Sequence, residues 1–191
     1  MRKLFLFSMV VTLGLVACNK DDAALDNVAP MQKSPMQEEM IPIAKLTDKG
    51  DIELLFLQRD VQEFFNREFP DVKLVFVEVY DENKNGKDAG VLFQVYYEKE
   101  KVAVTLINLS AILNDGVYFV SQKSMLSAKT PCCTTNNEQC ALAMTCKPKT
   151  DKCGNWSCPS CSNGGSCTKC NSNNTLAQVS TLCRALDYAV R

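Results

Sequence analysis

Nine of the eleven cysteines in this chain fall within residues 132–170, at positions 132, 133, 140, 146, 153, 158, 161, 167 and 170. Between them lie Asn, Ser, Thr, Gly and Lys, with Leu142, Met144 and Trp156 as the large apolar exceptions. A stretch so poor in apolar side chains cannot bury a sufficient core, so covalent links must replace one. The remaining two cysteines are Cys18 and Cys183, and the chain contains no histidine. Without histidine there is no Ser-His or Cys-His nucleophilic site, no His metal ligand and no His-ligated haem. Most common hydrolase chemistries are thereby disfavoured, and no catalytic residues or cofactor are expected. The 21 basic and 22 acidic residues leave a formal net charge of -1, which offers no electrostatic footprint for nucleic acid.

The first residues read as an address. Arg2 and Lys3 precede an uncharged apolar run, Leu4 to Val16, which has the length of a signal-peptide core and is short for a membrane span. It ends Leu15-Val16-Ala17-Cys18. These residues resemble the lipobox of bacterial lipoproteins. The resemblance implies cleavage before Cys18, a thioether-linked diacylglycerol on its sulfur and an acylated amine. More than one acyl chain gives stable anchoring, at about 0.8 kcal/mol per buried CH₂. The following Asn19-Lys20-Asp21-Asp22 resembles the surface-export signal of some Gram-negative lipoproteins. The implied destination is the outer membrane, at the cell surface. Removal of residues 1–17 takes away Arg2 and Lys3 and leaves 19 basic against 22 acidic residues, a formal balance of -3.

Residues 18–45 form the lipidated N-terminus and a polar tether with Pro30, Pro35 and Pro42 and no persistent period. As a random coil its r.m.s. span is roughly 26–31 Å. Residues 46–127 are expected to form an α+β module. Leu54, Leu57, Val61, Phe64 and Phe65 fall on one face at helical spacing. That helix is expected to start at Asp51 or Asp60 and to stop at Pro70. Residues 73–80 then read as a strand with Val75, Val77 and Val79 on one face. Val91, Phe93, Val95 and Tyr97 alternate in a second strand; Val102, Val104 and Leu106 follow in a third, and 117–120 supply a fourth. A helix covering a small antiparallel sheet is implied. The element order and the Phe69-Pro70-Asp71 junction loosely resemble PepSY-type or cystatin-like modules, which implies no catalytic motif. The cystatin-like order suggests an inhibitor of a secreted enzyme as one alternative function.

Residues 128–191 are expected to be an irregular disulfide-rich segment followed by a terminal helix. The stripe Leu176, Val179, Leu182, Leu186 and Val190 marks that helix, with Cys183 beside it. Setting Cys18 aside, ten cysteines remain, namely the nine clustered ones and Cys183. In an exported chain an even number favours five disulfides, with about 945 possible connectivities. Adjacent Cys132 and Cys133 are expected to take different partners, because a ring between neighbours is strained.

Two other chemistries use the same residues. The pairs Cys158/Cys161 and Cys167/Cys170 could supply four thiolates to Zn²⁺, although the spacing is shorter than in most zinc ribbons. The spacing of Cys153, Cys158 and Cys161 also resembles that of plant-type iron-sulfur ferredoxins, and Cys158-Pro159-Ser160-Cys161 resembles a thioredoxin-like redox pair. A metal-binding or thiol-redox protein is therefore the second alternative.

Asp81-Glu82-Asn83-Lys84-Asn85-Gly86 matches the first half of an EF-hand-type calcium loop. The twelfth position, where a bidentate Glu is needed, is Leu92. The segment is expected to be a polar hairpin connection turning at Asn85-Gly86. Asp81, Asn83, Asn85 and Asp88 remain as a weak calcium alternative.

The leading expectation is a non-enzymatic lipoprotein that presents a disulfide-stapled binding surface. Trp156 is its candidate contact residue, since tryptophan is enriched at binding hot spots. Residues 128–172 carry five lysines and two acids, a balance of +3 that would favour an acidic glycan or acidic protein partner.

Overall fold

The computed structural model describes residues 38–150, 155–162, 164–170 and 175–191. Residues 1–37, on which the signal-peptide, lipidation and tether readings fall, lie outside the described residues, as does Cys153. In order, the elements are β1 (Ile41–Leu46), β2 (Ile52–Leu54), α1 (Gln58–Glu68), β3 (Val72–Tyr80), β4 (Gly90–Tyr97) and β5 (Val102–Asn108). Then follow β6 (Ile112–Asn114), β7 (Val117–Val120), α2 (Gln122–Ser127), β8 (Cys132–Thr135) and α3 (Glu138–Leu142). The chain continues through the short strands β9 (Lys149–Thr150), β10 (Trp156–Ser157) and β11 (Thr168–Lys169), and α4 (Thr175–Val190). The α+β class holds, and the sheets are antiparallel throughout.

Strand order is β2-β1-β7-β6 in one sheet and β11-β8-β5-β4-β3 in the other, with β9 and β10 forming a separate ribbon. The strand at 117–120 therefore leaves the meander and pairs with β1. β1 itself begins at Ile41, so the last residues assigned to the tether are sheet residues, with Ile43 and Ala44 buried. One neighbour, β2, follows closely in the chain, but the other, β7, pairs from Ile41↔Val120 to Lys45↔Val117, far along the sequence.

α1 begins later than its apolar spacing implies. Ile52–Leu54 pair with β1 as a strand, and Leu57 is the residue before the helix. Asp60 sits in the first turn, where its charge suits the helix dipole. The helix ends at Glu68 with Phe69 as its cap, before Pro70, which cannot continue it. Val61 and Phe65 are its buried residues.

β3 contains a bulge between Leu74 and Phe76. The extra residue resets the two-residue alternation. Leu74, Val77 and Val79 thus face the main core, whereas Val75 stands partly exposed at 39% and Phe76 turns to the opposite face. Val91, Phe93 and Val95 of β4 and Val104 and Leu106 of β5 also face the main core. At the start of β4, Gly90 is required by close approach: a Cβ there would lie 2.2 Å from the carbonyl oxygen of Asn108.

The main core takes in one face of the five-stranded sheet, β1 and β7, α1 and α4. Val179, Leu182, Ala185 and Leu186 of α4 are all nearly inaccessible there. Phe64 of α1 stacks near Tyr188 with ring centroids 5.4 Å apart, and Arg184 lies 5.5 Å over the Phe64 ring. The terminal helix thus packs against the first helix within the main core. Ser121 and Ser124 close a reciprocal capping box at the start of α2, between β7 and β8. Among the described residues no helix is long and apolar enough to cross a membrane.

Candidate functional site

The second face of the five-stranded sheet is the one the cysteine-rich segment covers. β8 pairs with β5, placing Cys132 opposite Leu106 and Cys133 opposite Thr105. Successive side chains on a strand point to opposite faces. Cys132 accordingly joins the main core, while Cys133 joins a separate cluster with Cys140, Cys146 and Cys161.

Among the described residues there are four disulfides. Cys132–Cys170 lies on the main-core side. Cys133–Cys158, Cys140–Cys161 and Cys146–Cys167 form the second cluster. The Cα separations run from 5.4 to 5.7 Å, within the range disulfides use. The expectation that Cys132 and Cys133 take different partners is met, and its cause is the strand geometry as much as the strain of a vicinal ring.

Cys183 differs from the expectation of full pairing. It is a free thiol, buried on the inner side of α4 among the core residues Val179, Leu182 and Leu186. Burial, with the Asp187 carboxylate adding to it, pushes the thiol up to about 11. Such a thiol is a small hydrophobe that packs, and the helix that carries it turns it into the core.

The two CxxC pairs do not close on themselves. Cys158 bonds to Cys133, Cys161 to Cys140, Cys167 to Cys146 and Cys170 to Cys132. The sulfurs of Cys133, Cys158 and Cys167 do lie within 4.8 Å of one another. That trio comprises one whole bridge and half of another, so in the oxidised protein its members are not thiolates able to ligate a metal.

Polar groups fasten the cover to the sheet. Gln94, on β4, is buried and donates from Nε2 to Thr105 Oγ1 at 2.9 Å and to the Ala141 carbonyl at 3.3 Å. Thr135 Oγ1 donates to the carbonyl of Ser166 at 2.7 Å. Further along the same face, Phe76, Leu92 and Ile107 form a small apolar cluster against which Tyr80, Leu109 and Trp156 pack.

Trp156 is half-buried. Its ring lies 6.3 Å from that of Tyr80, centroid to centroid, and it also lines an open cleft of about 230 Å³. Pro131, Pro148, Ser157, Lys169 and the Cys132–Cys170 bridge complete the walls that matter here. Trp156 thus covers a small apolar cluster and at the same time lines the cleft. Lys129, Lys149 and Lys169 are exposed and form no ion pair among the described residues. Leu142 is 72% exposed, and Met144 is partly so. Sequence reasoning missed the cleft itself, because its walls come from four separate stretches of chain.

The 81–89 connection is longer than a tight hairpin turn. β3 and β4 pair from Val72↔Tyr97 to Tyr80↔Gly90, so the turn is not closed at Asn85-Gly86. Lys84, Gly86 and Asp88 have positive φ, at 52°, 76° and 57°. The Asp81 carboxylate lies buried at its base. Asn83, Asn85 and Asp88 stand on the exposed rim. Tyr118 of β7 donates its hydroxyl to Asp81 Oδ2 at 2.9 Å, and burial together with that bond pushes the phenol up to about 12.

A scan against protein-family models and searches of curated proteins and of solved structures found no match for this chain.

Proposed function

We propose that this chain is a non-enzymatic binding module, anchored by lipid at Cys18 in an outer membrane and displayed at the cell surface. The observation that carries the binding role is the cleft beside Trp156. It joins an aromatic wall to the exposed Lys169, and its lining includes a disulfide. Aromatic anchors with adjacent cationic groups suit an acidic glycan or the acidic face of a protein. Loops held by covalent staples have little freedom left to lose, so ordering costs on binding are small. The anchoring and location rest on the Leu15-Val16-Ala17-Cys18 sequence and on Lys20-Asp21-Asp22 after it.

The test is binding of the lipid-free chain, residues 19–191, to immobilised sulfated and carboxylated glycans at rising salt. Saturable binding that weakens with salt and is lost in Trp156→Ala supports the reading. Binding unaffected by Trp156→Ala and Lys169→Ala, with the disulfides intact, would place the contact surface elsewhere.

A further inference from the structure

Asp81 is 7% exposed, so its carboxylate is removed almost entirely from water. Both of its recorded hydrogen bonds go to Oδ2, from the Gly86 N–H at 2.7 Å and from the Tyr118 hydroxyl at 2.9 Å. Oδ1 is buried and receives none. No described Lys or Arg forms an ion pair with this carboxylate. Lys84, three residues on, turns its ammonium away to the carbonyl of Gly50. A buried carboxylate is expensive unless it is paired or coordinates a metal. The bond from the Gly86 N–H, five residues on, folds the loop back over the Asp81 carboxylate.

We infer that the 81–88 loop is a calcium site, with Asp81 Oδ1 at its base. Around it the loop offers the side-chain oxygens of Asn83, Asn85 and Asp88 and the backbone carbonyl of Lys87. This is an all-oxygen set containing two carboxylates, the chemistry that hard divalent cations take. The oxygens fall at the first, third, fifth and seventh positions of a loop with glycine at the sixth, the spacing by which a chain wraps around calcium. Asp88, at the eighth, adds the second charge. Leu92, at the twelfth, is a buried strand residue and closes nothing. Without a bidentate twelfth ligand, affinity belongs at the weak end, about 10⁻⁴–10⁻³ M, the range of extracellular modules. The ion would also tie the two sheets together. Asp81 holds Tyr118 of β7, and the loop lies so close to β6 that a Cβ at residue 86 would come 2.7 Å from Leu113 Cβ.

The test is calorimetric titration of the chelator-stripped, oxidised full-length chain with calcium and, separately, with magnesium, alongside thermal unfolding at each concentration. The site predicts a calcium Kd of about 10⁻⁴–10⁻³ M, magnesium at least about tenfold weaker, and a rise in unfolding temperature with calcium. Asp81→Asn should weaken calcium at least about tenfold. Because Asp81 also holds Gly86 and Tyr118, the rim variant Asn83→Ala/Asp88→Ala tests the same site without touching those bonds. It should lose calcium binding to the same degree with unchanged circular dichroism. No saturable binding up to about 10 mM calcium, or binding that survives in the rim variant, overturns the inference.

Discussion

Cys132 and Cys133 are neighbours on β8, yet their sulfurs lie on opposite faces of the five-stranded sheet and bond to Cys170 and Cys158. The strand's two-residue alternation makes this arrangement, and it decides how the cysteine-rich segment is attached. One bridge packs against the main core, and the other three hold a cover over the far face. The segment is therefore joined to the sheet through a strand and through covalent links, not appended to it as a separate body.

Reduction should strip the cover before it unfolds the rest. Each bridge contributes about 2–4 kcal/mol by restricting the unfolded chain, and residues 136–170 have little apolar burial to replace it. β8 and α4 keep their apolar contacts with the main core. Hydrogen exchange after reduction should rise across 136–170 while α4 stays protected. Loss of protection in α4 at the same rate would mean that the bridges hold the terminal helix too.

Phe65 and Leu186 are both fully buried, one on α1 and the other on α4. Phe65→Ala should cost about 3–5 kcal/mol and Leu186→Ala about 2–5 kcal/mol. Urea unfolding should show both losses in a single cooperative transition. A separate early transition for Leu186→Ala would show that α4 docks independently of the core.

The Cys183 thiol should be unreactive in the native protein. Alkylation at about pH 8 should label it only after denaturation. Its ordinary value is 9.0, and burial raises it to about 11. The folded state thus holds the proton more tightly than the unfolded state. The stability this contributes is complete below pH 9.0 and is lost as pH rises through about 11. Rapid native labelling would show that α4 opens readily.

Cys18→Ala should abolish lipid attachment and the cleavage before residue 18, leaving the Leu4–Val16 run on the chain. Mass spectrometry of the membrane fraction should find Cys18 as the lipidated N-terminus. An unmodified peptide spanning Ala17-Cys18 would contradict the lipobox reading.

Much of the fold was legible wherever the pattern is local. Val91, Phe93 and Val95 alternate without interruption, and β4 forms where they predict. Pro70 stops α1 for a reason visible in one residue. The misplacements have long-range causes. Leu54 and Leu57 fit a helical period, but β1 recruits Ile52–Leu54 into a sheet. Val75 fits its strand's period, but a bulge that only the pairing with β4 reveals turns it out. The site was legible in its materials and not in its assembly. The composition singled out Trp156 and the cysteines, whereas Pro131, Pro148 and Lys169 meet Trp156 only after β8 joins β5 and the bridges close. Cys183 looked like the tenth partner by count, and its burial in a helix face could not be read from the count.

The central claim is that the cysteines are structural staples that hold a cover on the sheet. Mass-spectrometric mapping of disulfide-linked peptides, on protein isolated from membranes without reductant and with free thiols blocked, tests it most directly. The account predicts Cys132–Cys170, Cys133–Cys158, Cys140–Cys161 and Cys146–Cys167, with Cys183 recovered as a blocked thiol. Bridges within Cys158/Cys161 or Cys167/Cys170, or those four recovered as thiols with stoichiometric zinc, would contradict it.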